Sequence, residues 1–307
     1  MLTVFIKVAA FVTIIVAGYV GGHTGRLDKS TGSILSKIVF NFTLPCAVIN
    51  AFGSAEFSHD LLWLFVVGVV FNFVSYFGML AFVRNDERTD RILYLCNISG
   101  YNIGCFALPF VLAFFPPTQA VAICLFDAGN SIMMSGGTYA LTSVLAGEEK
   151  PAHPLRLVAK RLFSSVTIDA YLVMVLLAVA GIGIPAEVVQ FTAPMANANA
   201  FLAMFMLGLM TNLSVDATKL AKVGKLLGSR LFFNVVFSLV TLFLLPFDMS
   251  VRMVVAMGVW APVGAMGPVF TMWCKGDHGL AGFANTLTII MSIVAMTTIV
   301  LLSGVVA

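Results

Sequence analysis

Two carboxylates, Asp127 and Asp169, stand inside long apolar stretches of this 307-residue chain. An acid at bilayer depth is costly, and it marks an ion or proton path by default. Asp127 lies well inside its segment, in Leu125-Phe126-Asp127-Ala128-Gly129-Asn130-Ser131. Asn130 follows at i+3 on the same helix face, and small Ala128 and Gly129 let a second helix approach closely. This group suits a bound proton or sodium ion; a neutral Asp bonded within a helix bundle would give the same pattern. Asp169 follows a basic connection within a turn or two, where it can pair with Arg or Lys or reach water.

A second constellation runs Asn97-Ile-Ser-Gly-Tyr-Asn-Ile-Gly-Cys-Phe-Ala-Leu-Pro109-Phe110. Gly100, Gly104 and Pro109 break a helix-length apolar segment, which is tolerated at bilayer depth only where protein or a wet cavity satisfies the freed backbone. A half-helix starting near Gly104 would place Pro109 in its early turns, where proline is accepted. Its exposed N–H groups and positive dipole end favour an anion, and the Asn102 and Asn97 amides can donate to a carboxylate or accept from a cation. Trp260-Ala-Pro262-Val-Gly264-Ala-Met-Gly-Pro268 repeats the arrangement later in the chain. Two facing helix starts would make an anion site without any buried Arg or Lys. Asn41 and Thr43, ahead of Pro45, and Asn197 and Asn199 are further polar groups that either line a path or serve packing.

The elements that must position these groups are membrane spans. A hydrophobic fraction of 60%, a charged fraction of 10% and a mean hydropathy of +1.02 exclude a soluble domain, whose charged share is about 25%. Windows of roughly 20 apolar residues fall near 3–21, 33–53, 60–83, 91–115, 118–146, 163–183, 186–211, 226–247, 251–273 and 278–304. The first reads as a span rather than a cleaved leader, since Lys7 lies within it and no small-residue cleavage site follows. Basic residues occupy alternate connections: Arg26, Lys29 and Lys37; Arg84, Arg88 and Arg91; Lys150, Arg156, Lys160 and Arg161; Lys219, Lys222, Lys225 and Arg230; and Lys275. By the positive-inside rule that side is cytoplasmic and both termini face out. The net charge of +3 is thus a topology signal, with no nucleic-acid partner implied. The five cysteines lack metal-type spacing and read as small packing residues.

Sliding the chain along itself by 159 residues lays Tyr101–Pro109 over Trp260–Pro268 and pairs the first five spans with the last five. Five is odd, so the second half would enter the membrane inverted, a design whose matched breaks point to a secondary transporter's site. The same shift makes Thr286 the counterpart of Asp127. The halves run 1–148 and 163–307, joined by a cytoplasmic linker at 149–162 whose prolines and charges suit a surface segment and whose basic residues can meet anionic lipid heads.

These motifs resemble the auxin efflux carrier family in its bacterial branch. The fourth-span break matches that family's Asn-Thr-Gly-Phe-x-Gly-x-Pro-Leu at Asn102, Gly104 and Pro109, with Ala107 replacing a glycine. Phe42-Thr43-Leu44-Pro45, Gly183-Ile184-Pro185, Ala261-Pro262 and Gly276-Asp277 also fit, so the resemblance covers the whole chain. It departs at Ile168-Asp169-Ala170, where the family often has Asn-Pro, and at Thr288–Ser292, where it often has Ser-Thr-x-x-Ser. The resemblance implies an all-α fold of ten helices in two inverted repeats, with broken fourth and ninth helices crossing. It also implies transport of small organic anions such as malate, malonate or auxin, frequent dimers, and an architecture shared with bile-acid symporters and sodium/proton antiporters.

The expectation is therefore a bacterial inner-membrane secondary carrier for a small carboxylate, not an enzyme, needing no cofactor beyond a coupling proton or sodium ion. Asn102, Gly104, Pro109, Pro262, Gly264, Pro268 and Asn41 would meet substrate; Asp127, Asn130, Asn97 and Thr286 would serve the ion. Spans 1, 2, 6 and 7 would form a scaffold and homodimer surface, and spans 3, 4, 5, 8, 9 and 10 an elevator-like moving part. A cation/proton antiporter without organic substrate is the first alternative. An aspartyl protease would need Asp127 and Asp169 to share one water, and a passive channel would not need an inverted repeat.

Overall fold

A computed structural model describes residues 1–28, 30–54, 58–147, 156, 159–160 and 164–304. Most of the expected linker, with Lys150 and Arg161, lies outside the described residues. Every regular element among the described residues is helical, and seven helices are long and apolar enough to cross a membrane. In chain order these seven are α1 (Leu2–His23), α2 (Thr31–Gly53), α3 (His59–Phe82), α6 (Thr118–Leu145), α8 (Ala186–Leu209), α9 (Ala217–Leu244) and α12 (His278–Leu302). Shorter helices stand between them: α4 (Arg88–Ile98), α5 (Ile103–Phe114), α7 (Val166–Val179), α10 (Met249–Val259) and α11 (Gly267–Trp273).

The two breaks lie where the glycines and prolines stand. α4 stops because Ser99 turns extended and Gly100 takes φ +80°, a left-handed conformation that disfavours a side chain. α5 then opens with a wide π turn, Ile103–Ala107, and Pro109 enters the first turn of the regular helix behind it. α10 ends at Val259, and α11 begins at Gly267 with Pro268 in its first turn. In α2 the irregularity precedes Pro45: Val39–Thr43 form a π turn, and Pro45 sits just after it.

Glycines decide how closely the helices cross. Gly129 of α6 and Gly68 of α3 face each other's backbones, so that a Cβ on Gly129 would stand 2.1 Å from the Phe65 carbonyl oxygen and one on Gly68 2.3 Å from that of Phe126. Gly18 of α1 and Gly208 of α8 make the same reciprocal contact. The packing divides accordingly. α1, α2, α7 and α8 pack on one another; α3 to α6 pack with α9 to α12; and the groups meet where α2, α7 and α8 cover α6 and the start of α5 and where α1 touches α12 and α5. Large apolar side chains stay exposed around the outside, among them Phe5, Phe77, Phe191 and Phe243, as expected of a lipid-facing belt.

One charge lies elsewhere than expected. Arg230, counted above with the basic residues of a connection, is inside α9 and 1% exposed.

Candidate functional site

The two breaks pair with each other at the centre of the fold. Tyr101 and Val263 form an isolated antiparallel bridge. The Asn102 N–H donates to the Pro262 carbonyl at 2.9 Å, and the Gly264 N–H donates to the Gly100 carbonyl at 2.7 Å. Two non-helical strips, useless to their own helices, thus satisfy one another as buried backbone must.

Side chains from the surrounding helices complete that pairing. Asn130 of α6 accepts from the Tyr101 N–H at 2.8 Å and donates to the Tyr101 carbonyl at 2.8 Å and to Asp127 Oδ1 at 2.8 Å. Asn72 of α3 accepts from the Gly100 N–H at 2.7 Å and donates to Asn130 Oδ1 at 3.2 Å. At the second break Thr288 of α12 accepts from the Val263 N–H at 3.1 Å. Each broken strip is therefore held by a polar residue on an intact neighbouring helix.

Asp127 is the acid of this centre. Its Oδ2 accepts from the Tyr171 hydroxyl of α7 at 2.7 Å and its Oδ1 from Asn130, and a Cβ on Gly104 would stand 3.4 Å from its Oδ2. The carboxylate thus faces the positive start of α5. Beside it is a small cavity, about 60 Å³, lined among others by Asn102, Gly104, Asp127, Ser131, Ser135 and Thr167. Asn102 is 3% exposed and its Nδ2 has no partner among the described residues. A buried donor without a partner is costly, and one lining a cavity is a place for a ligand's acceptor.

Asn102, Gly104, Asp127 and Asn130 are thus brought together, with Pro262 and Gly264 as their backbone partners. Pro109 and Pro268 lie behind, in the first turns of their helices. Asn97 is buried on the other side of the break, where it donates to Thr271 Oγ1 of α11 at 2.9 Å. Thr286 is not at the centre: it accepts from the Asn212 N–H after α8 and donates to the Gly282 carbonyl. Asn41 is exposed and turned back to the Lys37 carbonyl. Asn199 bridges Thr43, at 3.0 Å, to the Gly104 carbonyl, at 3.4 Å. Asp169 is exposed in the first turn of α7.

The expectation of a centre without a buried cation is corrected. Arg230 reaches the crossover from α9, donating to the carbonyls of Asn97, Ile98 and Ala261. It directly follows Gly-Lys-Leu-Leu-Gly-Ser, so in sequence it continues the basic run of Lys219, Lys222 and Lys225 and reads as the end of that connection. Asn72, Tyr171 and Thr288 join the site although no sequence expectation placed them in it. The signals in the sequence are the lone polar residue in Phe71-Asn72-Phe73 and the polar pair Thr288 and Ser292 in an apolar span.

A family model described as Membrane transport protein matches residues 3–302, nearly the whole chain. No curated protein matches it.

Proposed function

We propose that this chain, which belongs to the auxin efflux carrier or membrane transport protein family, is a secondary active carrier for a small carboxylate. The observation that carries the reading is the buried Asn102 amide donor, without a partner among the described residues, at a cavity beside Asp127 and the start of α5. One carboxylate of the substrate accepts from Asn102 Nδ2 and takes up the partial positive charge of the α5 start. Asp127 already faces that start, so two negative groups would compete for it. Neutralising Asp127 removes the conflict, which supports symport with a cation rather than a bare anion path.

On this reading, transport proceeds by alternating access of two inverted five-span repeats, and the two broken helices that meet at the crossover support it. α1, α2, α7 and α8 would be the scaffold and homodimer surface, and the crossover group would move past it in an elevator-like stroke. That each group packs mainly within itself supports this division. The multi-pass chain would sit in a bacterial inner membrane with both termini outside.

The experiment is thermal unfolding of the purified protein with a panel of mono- and dicarboxylates, at two pH values, with and without sodium. Ligands of the native state raise stability by mass action. A carboxylate-specific shift that Asn102→Ala abolishes is expected. If ions alone stabilise the protein and no carboxylate does, the cation/proton antiporter takes its place.

A further inference from the structure

The ends of α4 and α10 meet at the crossover opposite the starts of α5 and α11. The last carbonyls of a helix have no partner within it. Here those of Asn97 and Ile98 at the end of α4, and that of Ala261 just past α10, all accept from one side chain. Arg230 Nη1 donates to Asn97 and Ile98 at 3.0 Å each, and Nη2 donates to Ala261 at 3.1 Å. The guanidinium also lies over the Tyr101 ring, 5.2 Å from its centroid. No carboxylate pairs with it among the described residues.

A buried charge without a matching countercharge is expensive. The match is supplied by the backbone. Each helix C-terminus carries about half a negative charge, and the two ends together balance one guanidinium. Broken-helix carriers use these same groups, half-helix C-termini and unwound carbonyls, to coordinate a sodium ion.

We propose that Arg230 is the built-in cation of the crossover. It occupies, on a tether from α9, the carbonyl cluster that would otherwise hold Na⁺, so substrate binding by this protein requires no sodium. The proposal rests on the carrier reading above and decides between its two coupling ions: a proton at Asp127 remains. The groups around that carboxylate are the Tyr171 hydroxyl from α7, the Asn130 amide and the Cys124 thiol from α6, and the Cys105 thiol from the start of α5; none of them is cationic.

The test is thermal unfolding of the full-length protein in NaCl and in choline chloride at equal ionic strength, with and without malonate as probe. Wild type should show the same Tm and the same malonate shift in both salts. A Tm or malonate shift that depends on sodium overturns the proposal whatever the variants do. A missing malonate shift in both salts counts against the carboxylate reading, while the Tm comparison still decides for or against a sodium site.

Arg230→Ser vacates the carbonyl cluster and should lower Tm by about 5–10 °C. Methylguanidinium or Na⁺ should restore most of that loss, and choline none. Failure of both to restore it makes Arg230 a packing residue and ends the proposal. If the serine variant does not fold, Arg230→Lys decides: it should fold and keep a sodium-independent Tm, and its failure to fold would show that positive charge is not what the cluster needs.

Discussion

The Tyr171 hydroxyl donates to Asp127 Oδ2 at 2.7 Å, joining α7 to α6 across the boundary between the two packing groups. Asp127 therefore holds both the crossover, through Asn130, and the helix group that faces it. A charge-assisted hydrogen bond of this kind contributes about 1.5–3 kcal/mol.

Tyr171→Phe should lose about that amount, and Asp127→Asn should make the loss smaller. An amide at 127 that turns its oxygen to Tyr171 must turn its NH₂ to the Asn130 NH₂, since Asn130 is fixed by its two bonds to Tyr101. The double-mutant cycle, read from denaturant or thermal unfolding, should give a coupling of about 1 kcal/mol or more. Additive single losses would mean that the two groups do not interact in the native state. The same Asp127→Asn change should leave any carboxylate-induced stabilisation insensitive to pH.

The close crossing of α3 and α6 makes a prediction with its own control. Gly129→Ala places a methyl group 2.1 Å from the Phe65 carbonyl oxygen, a main-chain atom that cannot swing aside. The helices must separate, at a cost of about 1–3 kcal/mol, and Asn130, one residue on, shifts with them. Gly224→Ala on α9 meets nothing within 4 Å, and should be neutral or stabilise by up to about 1 kcal/mol through helix propensity. Tm values for the two variants should move apart; equal values would argue that the crossing is looser than described.

How much of this was legible in the sequence differs from residue to residue. The breaks at Gly100 and Pro109 and at Pro262 and Pro268 were readable because backbone chemistry is local: a glycine at φ +80° and a proline in a first turn announce themselves. Asp127 and Asn130 were readable because polar groups in apolar runs are expensive. Arg230 was not, because its meaning depends on carbonyls 132 and 31 residues away in sequence, and a basic residue near a span end looks like a topology signal. The shift of 159 residues paired Asp127 with Thr286, yet Thr288 performs the supporting bond at the second break. A shift read from sequence fixes the register of a break better than that of an intact helix, which has no landmark along its length.

Outside the spans, Asp277 gives the acid limit of stability. It caps α12 by accepting from the Leu280 N–H at 3.0 Å, and it pairs with Lys219 of α9. Partial burial works against its charge, but the Lys219 hydrogen bond, the Leu280 N–H and the nearby positive charge outweigh it and hold the carboxyl below its ordinary value. A carboxyl whose folded pKa lies below its unfolded value of about 3.9 stabilises the fold fully above that value. The contribution is lost as pH falls through the folded pKa. Asp277→Asn keeps a good cap and loses only a half-exposed ion pair, so it should cost no more than about 1 kcal/mol at neutral pH. Asp277→Ala loses both and should cost about 1–2 kcal/mol. Tm measured from pH 7 to pH 3 should show the gap between wild type and the alanine variant narrowing only below about pH 4; a gap constant over that range would mean that the cap acts without its charge.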